Sequence, residues 1–176
     1  KLWEASKERK KNSLLFKFEK FISKKFNKKF QNNYNKILNW SIKKPGDFWS
    51  SFWDFSDVDG VKSKTKLKKS KFFYKNLFLP GSKLNFAKNL LPKNNKDIAI
   101  TFISENGYRE EKNWYNLNIQ VSKISTFLKS IKIKKNDRVV AYLPNTIETV
   151  EAFLGTVSLG AIWSSCSPDF GATGMI

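Results

Sequence analysis

Residues 160–171 read Gly-Ala-Ile-Trp-Ser-Ser-Cys-Ser-Pro-Asp-Phe-Gly. The segment opens as an apolar strand, passes into small residues, carries no charge until Asp169 and closes at Gly171. That pattern predicts a strand that runs out into a site loop. Open α/β sheets bind their ligands beyond the carboxyl ends of their strands. Two loops of this chain take that position: Ser164–Gly171, and Pro144-Asn145-Thr146 after a strand over 137–143. Helix capping by Asn145 accounts for the second. The first is a long loop of small residues at a sheet edge, the kind of segment that carries function.

Several chemistries are excluded by residue type. The chain has no histidine, so it holds no Ser-His-Asp triad, no imidazole base and no imidazole metal ligand. With one cysteine and no histidine, a zinc site is not expected. Cys166 has no base supplied by its neighbours and reads as a small packed residue. Asp169-Phe170-Gly171 spells the metal-binding tripeptide of protein kinases, but the other kinase motifs are missing. Gly171-Ala172-Thr173-Gly174 lacks the length and the lysine of a phosphate-binding P-loop. Glu110 and Glu111 are adjacent on a predicted strand, so they face opposite ways and form no acid–base pair. No catalytic residue and no metal ligand is assigned.

The elements that position these loops follow from periodicity. Residues 6–30 are predicted helical, with Leu14, Leu15, Phe18, Phe21 and Ile22 as an apolar stripe. A second helix is expected over Asn33–Lys43, with Tyr34, Ile37, Leu38 and Ser41 on one face. A third is expected over Asp47–Phe55, where Phe48, Trp49, Phe52 and Trp53 are expected to turn their rings into a core. Residues 56–71 read as an exposed lysine-rich loop with a turn at Asp59-Gly60. Leu79-Pro80-Gly81-Ser82 reads as a turn, with Ser82 capping a short helix that Pro92 ends. After Pro92 the pattern becomes α/β. It comprises a strand at 98–103, a Glu105-Asn106-Gly107 hairpin turn, a more polar strand to Asn113 and a helix over 115–131. The strand at 137–143 follows, then a helix from Asn145 to Leu159 closed by Gly160, and a last strand at 161–165. Strand, helix and strand make a βαβ unit with parallel strands.

The net charge of +18 is unevenly distributed. Residues 1–91 hold 23 Lys and Arg against 7 Asp and Glu, while residues 92–176 hold 10 against 8. Only Arg9, Arg109 and Arg138 are arginines. Specific base readout favours arginine, so no specific nucleic-acid partner is expected. A basic module binding RNA or an anionic membrane through residues 1–44 is the rival reading from another class. No apolar run approaches the roughly 18 residues of a membrane span. The start, Lys-Leu-Trp-Glu-Ala-Ser, lacks the apolar core of a signal peptide. A single cysteine fits a reducing cytosol. Oligomeric state is left open.

Several segments, in order, resemble the acyl-adenylate-forming family and, within it, the acetoacetyl-CoA synthetases. Leu2-Trp3 with Ser6-Lys7-Glu8-Arg9 is similar to their opening. Trp40-Ser41, Asp47-Phe48-Trp49 and Phe52-Trp53-Asp54-Phe55 resemble their aromatic N-terminal region. Leu79–Leu91 resembles the family motif Phe-Pro-Gly-x-x-Leu-Asn-Tyr-Ala-Glu-Asn-Leu-Leu, with Lys88 where Glu is usual. Asp137–Asn145 is a pattern common across acyl-adenylating enzymes. Gly160–Gly171 selects the acetoacetyl branch, because the acetyl branch diverges after Gly160-Ala161.

The resemblance implies an α/β fold: a helical N-terminal region followed by the first βαβ part of the large N-terminal domain of an acyl-adenylating enzyme. Residues 1–91 would be the N-terminal region of acetyl-CoA-synthetase type. Residues 92–176 would begin the AMP-binding domain of a longer cytoplasmic enzyme, and the chain alone would be inactive. The reaction implied uses ATP and Mg²⁺ to convert acetoacetate to an acyl-adenylate, then transfers the acyl group to coenzyme A. A ligase for acetate or another short acid is the rival within the class. By resemblance, Ser167, Pro168, Asp169, Phe170 and Gly171 are the candidates for lining the path of the coenzyme A pantetheine arm. The phosphate loop and catalytic lysine of the family have no counterpart here.

Overall fold

The computed structural model describes residues 2–174. The chain forms two compact units, one running to Leu84 and the other beginning at Asn85.

Four helices build most of the first unit: α1 (Lys7–Asn12), α2 (Leu14–Phe26), α3 (Tyr34–Lys43) and α4 (Pro45–Phe55). The single helix expected over 6–30 is interrupted at Ser13, whose backbone is extended. Its hydroxyl donates to the Lys10 carbonyl at 2.7 Å and accepts from the Phe16 N–H at 3.2 Å, so one side chain closes α1 and caps α2. Asn27, in the left-handed region, ends α2. Asn33 caps α3 through the Lys36 N–H, and Pro45 opens α4 where its missing N–H costs nothing.

The core of this unit joins Phe18, Ile22, Phe30, Ile37 and Trp40, with Phe21, Phe26, Phe48 and Phe55 packed against it. Its rings meet mostly edge to face, as Phe18 does with Phe48 at 5.7 Å and Phe55 at 5.1 Å. The stripe on α2 is thus buried at Phe18 and Ile22, whereas Leu14 stays 72% exposed. The expectation for α4 is corrected as well. Phe48 reaches the core, but Trp49 and Phe52 remain exposed, and the fully withdrawn positions are Gly46, Ser50 and Ser51. Small residues sit where α4 approaches its neighbours, and the large rings flank that line.

Four short strands complete the unit: β1 (Gly60–Val61) with β4 (Lys83–Leu84), and β2 (Leu67–Lys68) with β3 (Leu77–Phe78), all antiparallel. Gly60 lies in β1 and not at the tip of a turn. A Cβ there would stand 2.6 Å from the Lys83 carbonyl oxygen, so the pairing itself requires glycine.

The second unit holds α5 (Phe86–Leu90), β5 (Ile98–Ile103), β6 (Arg109–Asn113), α6 (Trp114–Ser130), β7 (Arg138–Tyr142), α7 (Ile147–Ser158) and β8 (Ile162–Cys166). The cap of α5 is Asn85, one turn later than expected, while the Ser82 hydroxyl accepts from the Ser63 N–H at 2.8 Å. β5 and β6 form the expected antiparallel hairpin around Gly107, which takes a positive φ of 83°. β7 and β8 are parallel, joined by α7. The core gathers Ala87, Leu117, Val121 and Leu154. α6 and α7 come closest at Gly155, where a Cβ would lie 2.6 Å from Ile124 Cγ2.

Candidate functional site

The site is built on the βαβ unit. In the β7–β8 register Val139 pairs with Trp163 and Tyr142 with Cys166, so both strands end side by side. The Leu143 N–H continues the ladder to the Cys166 carbonyl at 3.3 Å. Trp163 contacts Phe153 of α7 at 6.1 Å, and Phe153 in turn contacts Phe86 of α5 at 5.8 Å. Asn85 locks this stack. Its Oδ1 accepts from the Lys88 N–H at 3.0 Å, and its Nδ2 donates to the Ser158 carbonyl at 2.8 Å. One side chain therefore caps α5 and ties it to the carboxyl end of α7. That is a physical reason for asparagine in the Leu84-Asn85-Phe86-Ala87 motif.

Beyond β8 the chain makes a 3₁₀ turn, Pro168–Phe170, with Ser167 at its N-cap, and a second over Ala172–Gly174. The Ser167 hydroxyl donates to Asp169 Oδ2 at 2.8 Å. Gly171 follows with a φ of 61°, a conformation in which a side chain would be strained. The five candidate residues, Ser167 to Gly171, are thus gathered in one knuckle at the strand ends, with Phe170 65% exposed and Asp169 also exposed. Sequence reading missed what holds this knuckle. The Tyr142 hydroxyl, from the last residue of β7, donates to the Pro168 carbonyl at 2.8 Å. The hint in the sequence is a tyrosine near the end of the run Val139-Val140-Ala141-Tyr142-Leu143.

The neighbouring loop differs from its expectation. α7 begins at Ile147 with Thr146 in the N-cap position, so Asn145 lies one residue outside the helix. The Thr149 hydroxyl reaches back to the Pro144 carbonyl at 2.6 Å. Glu148 is held below the usual glutamate range, first by a hydrogen bond from the Thr146 hydroxyl and then by its own backbone N–H. A carboxylate in the first turn is also favoured by the helix dipole. Cys166 is partly covered, and its thiol faces the Ser167 carbonyl at 3.6 Å.

The knuckle itself offers hydroxyl and backbone groups, the Phe170 ring and the Asp169 carboxylate. It does not fit Mg²⁺: among the described residues no three or more Cys, Asp and Glu side chains gather as for a metal ion, and Asp169 stands with Ser167.

Residues 91–175 match the family model of the AMP-binding enzymes. Named relatives are similar over more of the chain. The acetoacetyl-coenzyme A synthetase of Rhizobium meliloti (strain 1021) is 34% identical over 99% of this chain and 27% of its own length. The acetoacetyl-CoA synthetase of Xenopus tropicalis is 41% identical, over 82% of this chain and 22% of its own length. Among solved structures, an acetoacetyl-CoA synthetase from Streptomyces lividans superposes with a TM-score of 0.86 over 98% of this chain and 27% of its own, at 25% identity. The chain spans about a quarter of the length of the curated relatives it matches.

Proposed function

We propose that this chain is the opening part of a cytoplasmic acid–thiol ligase that activates acetoacetate with ATP and passes the acyl group to coenzyme A. In that reaction a carboxylate oxygen of acetoacetate attacks the α-phosphorus of ATP, and the bond to the bridging oxygen breaks to release pyrophosphate. The coenzyme A thiolate then attacks the acyl carbon, and AMP leaves. Bound Mg²⁺ would offset phosphate charge in the first step. Residues 1–91 serve as the N-terminal region and residues 92–176 as the beginning of the adenylating domain. The observation that carries the reading is the similarity to acetoacetyl-CoA synthetases along nearly the whole chain, in sequence and in fold together.

Within this reading the knuckle Ser167–Gly171 lines the path of the pantetheine arm. It stands at the carboxyl ends of parallel strands, where ligands of α/β sheets bind, and its surface is neutral apart from Asp169.

The test is acetoacetate-dependent exchange of pyrophosphate into ATP, followed by acetoacetyl-CoA formation, on the intact gene product with acetate in competition. Exchange driven by acetoacetate, with acetate about tenfold or more poorer in kcat/KM, supports the reading. Preference for acetate would overturn the acetoacetyl assignment. Phe170→Ala is expected to raise the KM for coenzyme A and leave the exchange step unchanged. The reverse result would remove the knuckle from the coenzyme path.

A further inference from the structure

The most unusual surface of the first unit is the tip of the β2–β3 hairpin. From Gly60 to Leu84 the chain holds eight lysines and no acidic residue. The tip itself reads Lys68-Lys69-Ser70-Lys71-Phe72-Phe73-Tyr74-Lys75. Its three rings lie in water: Phe72 is 48% exposed, Phe73 82% and Tyr74 76%. Lys68, Lys69, Lys71 and Lys75 are exposed around them.

This tip is a formed structure. The Ser70 N–H donates to Asn76 Oδ1 at 2.8 Å, and the Lys75 and Asn76 N–H groups close a 3₁₀ turn on the Phe72 and Phe73 carbonyls at 3.0 Å. Its base is anchored by Phe78 against Trp49 at 6.0 Å and by buried Leu79, whose N–H donates to the Lys66 carbonyl. The fold therefore holds three aromatic side chains away from the core of the unit, inside a collar of like charge.

We propose that this hairpin tip docks on an anionic lipid surface, with the rings entering the headgroup–acyl boundary and the lysines meeting lipid phosphates and carboxylates. Aromatic rings favour that boundary, and a cluster of lysines is attracted to the negative surface potential of anionic leaflets. Lys64, Lys66 and Lys69 continue the basic face toward Lys43 and Lys44, with Asp47 the one acid among them. A nucleic-acid strand suits the tip less well. Base stacking needs free ring faces, whereas Phe72 and Tyr74 stack on each other at 5.7 Å and Lys75 lies over both, at 5.3 and 5.8 Å. Arginine, the usual partner of phosphate forks, is missing from residues 10–108.

Flotation of the full chain with vesicles tests the proposal, using phosphatidylcholine alone or with about one-third phosphatidylserine. Partitioning is expected to be about tenfold or more stronger on the anionic vesicles and to fall in high salt. Replacing Phe72, Phe73 and Tyr74 together by serine is expected to weaken it about tenfold. The combined variant K69E/K71E/K75E is expected to abolish it, whereas K17E/K20E/K24E on α2 retains most of it. Equal recovery on neutral vesicles, or equal loss from the α2 variant, would overturn the proposal. So would a single-stranded oligonucleotide whose binding needs the same three rings. As a site-specific readout, a polarity-sensitive dye on F73C in a C166A background is expected to shift to the blue on anionic vesicles. An unchanged spectrum there would also sink the idea.

Discussion

Lys112 on β6 and Glu151 on α7 meet at 2.7 Å, with their side chains only 18% and 6% exposed. The pair pins the β5–β6 hairpin to the crossover helix of the βαβ unit. Burial works against the charge on Lys112, but the hydrogen bond and charge of Glu151, helped by Glu110 and Glu148, raise its pKa above the usual lysine value. Removing Glu151 leaves a lysine with reduced access to water, so Glu151→Ala is expected to cost about 2–4 kcal/mol. The double variant K112M/E151L should recover most of that loss. Urea unfolding of the four members of the cycle measures it.

The same pair sets an alkaline limit. A lysine whose pKa is raised on folding contributes stability that is complete below its unfolded value, near 10.5, and disappears as pH rises through the folded value. The urea midpoint of the wild type is expected to fall above that pH, more steeply than that of K112M/E151L. Parallel pH curves would refute the assignment.

Asp54 governs the acid side of the first unit. It accepts from Lys25 at 2.8 Å and from Lys62 at 2.6 Å, joining α4 to α2 and to the segment after β1. Burial opposes its charge, yet the two lysines outweigh burial and hold the carboxyl below the usual aspartate range. Its contribution is present above the ordinary value near 3.8 and is lost as pH falls through the lower folded value. The carboxylate is 38% exposed, so solvent screening limits the effect. Asp54→Asn is expected to cost no more than about 1 kcal/mol at neutral pH, with a shallower decline in acid, read by circular dichroism.

Gly155 tests the packing of α6 on α7. Alanine would gain about 1 kcal/mol of helix propensity in isolation. Here its Cβ would fall 2.6 and 2.9 Å from Ile124 side-chain atoms. Overpacking is expected to win, with Gly155→Ala destabilising by about 1–3 kcal/mol. Pairing it with Ile124→Ala should relieve the clash, and a melting temperature for the pair above that of Gly155→Ala is the expected sign.

Tyr142→Phe removes the hydroxyl that holds the Pro168 carbonyl. The bond is exposed, so global stability is expected to change by less than about 1 kcal/mol. Amide exchange at Asp169, Phe170 and Gly171 should quicken several-fold, because the knuckle loses its tether to β7. Unchanged protection there would show that the turn is held without Tyr142.

Local chemistry was legible from residue types. Asn33 at a helix start, Asn106-Gly107 in a hairpin turn and Gly160 closing a helix all act within a few residues of themselves. So does the strand–helix–strand pattern of 138–166, because a parallel connection needs no partner beyond its own crossover. The outgoing turn after β8 was legible for the same reason, from small residues and Gly171 at a strand end, whereas the choice of Ser167–Gly171 as candidates rested on resemblance.

Competition between distant segments lay outside that reach. Ser82 and Asn145 are both acceptable caps by type, but the chain uses Asn85 and Thr146 as N-cap residues, and only the folded unit engages Asn85 with Ser158. On α4 the periodicity identified aromatic rings, while packing selected Ser50 and Ser51 for the interior, because helices approach closely where side chains are small. Lys112 and Glu151 stand 39 residues apart, and Tyr142 and Pro168 stand 26 apart. Sequence determined where helices, turns and parallel strands form, through short-range sterics and hydrogen bonds. Tertiary structure alone decided which polar groups meet and which rings are left in water, since both depend on segments that are neighbours only in space.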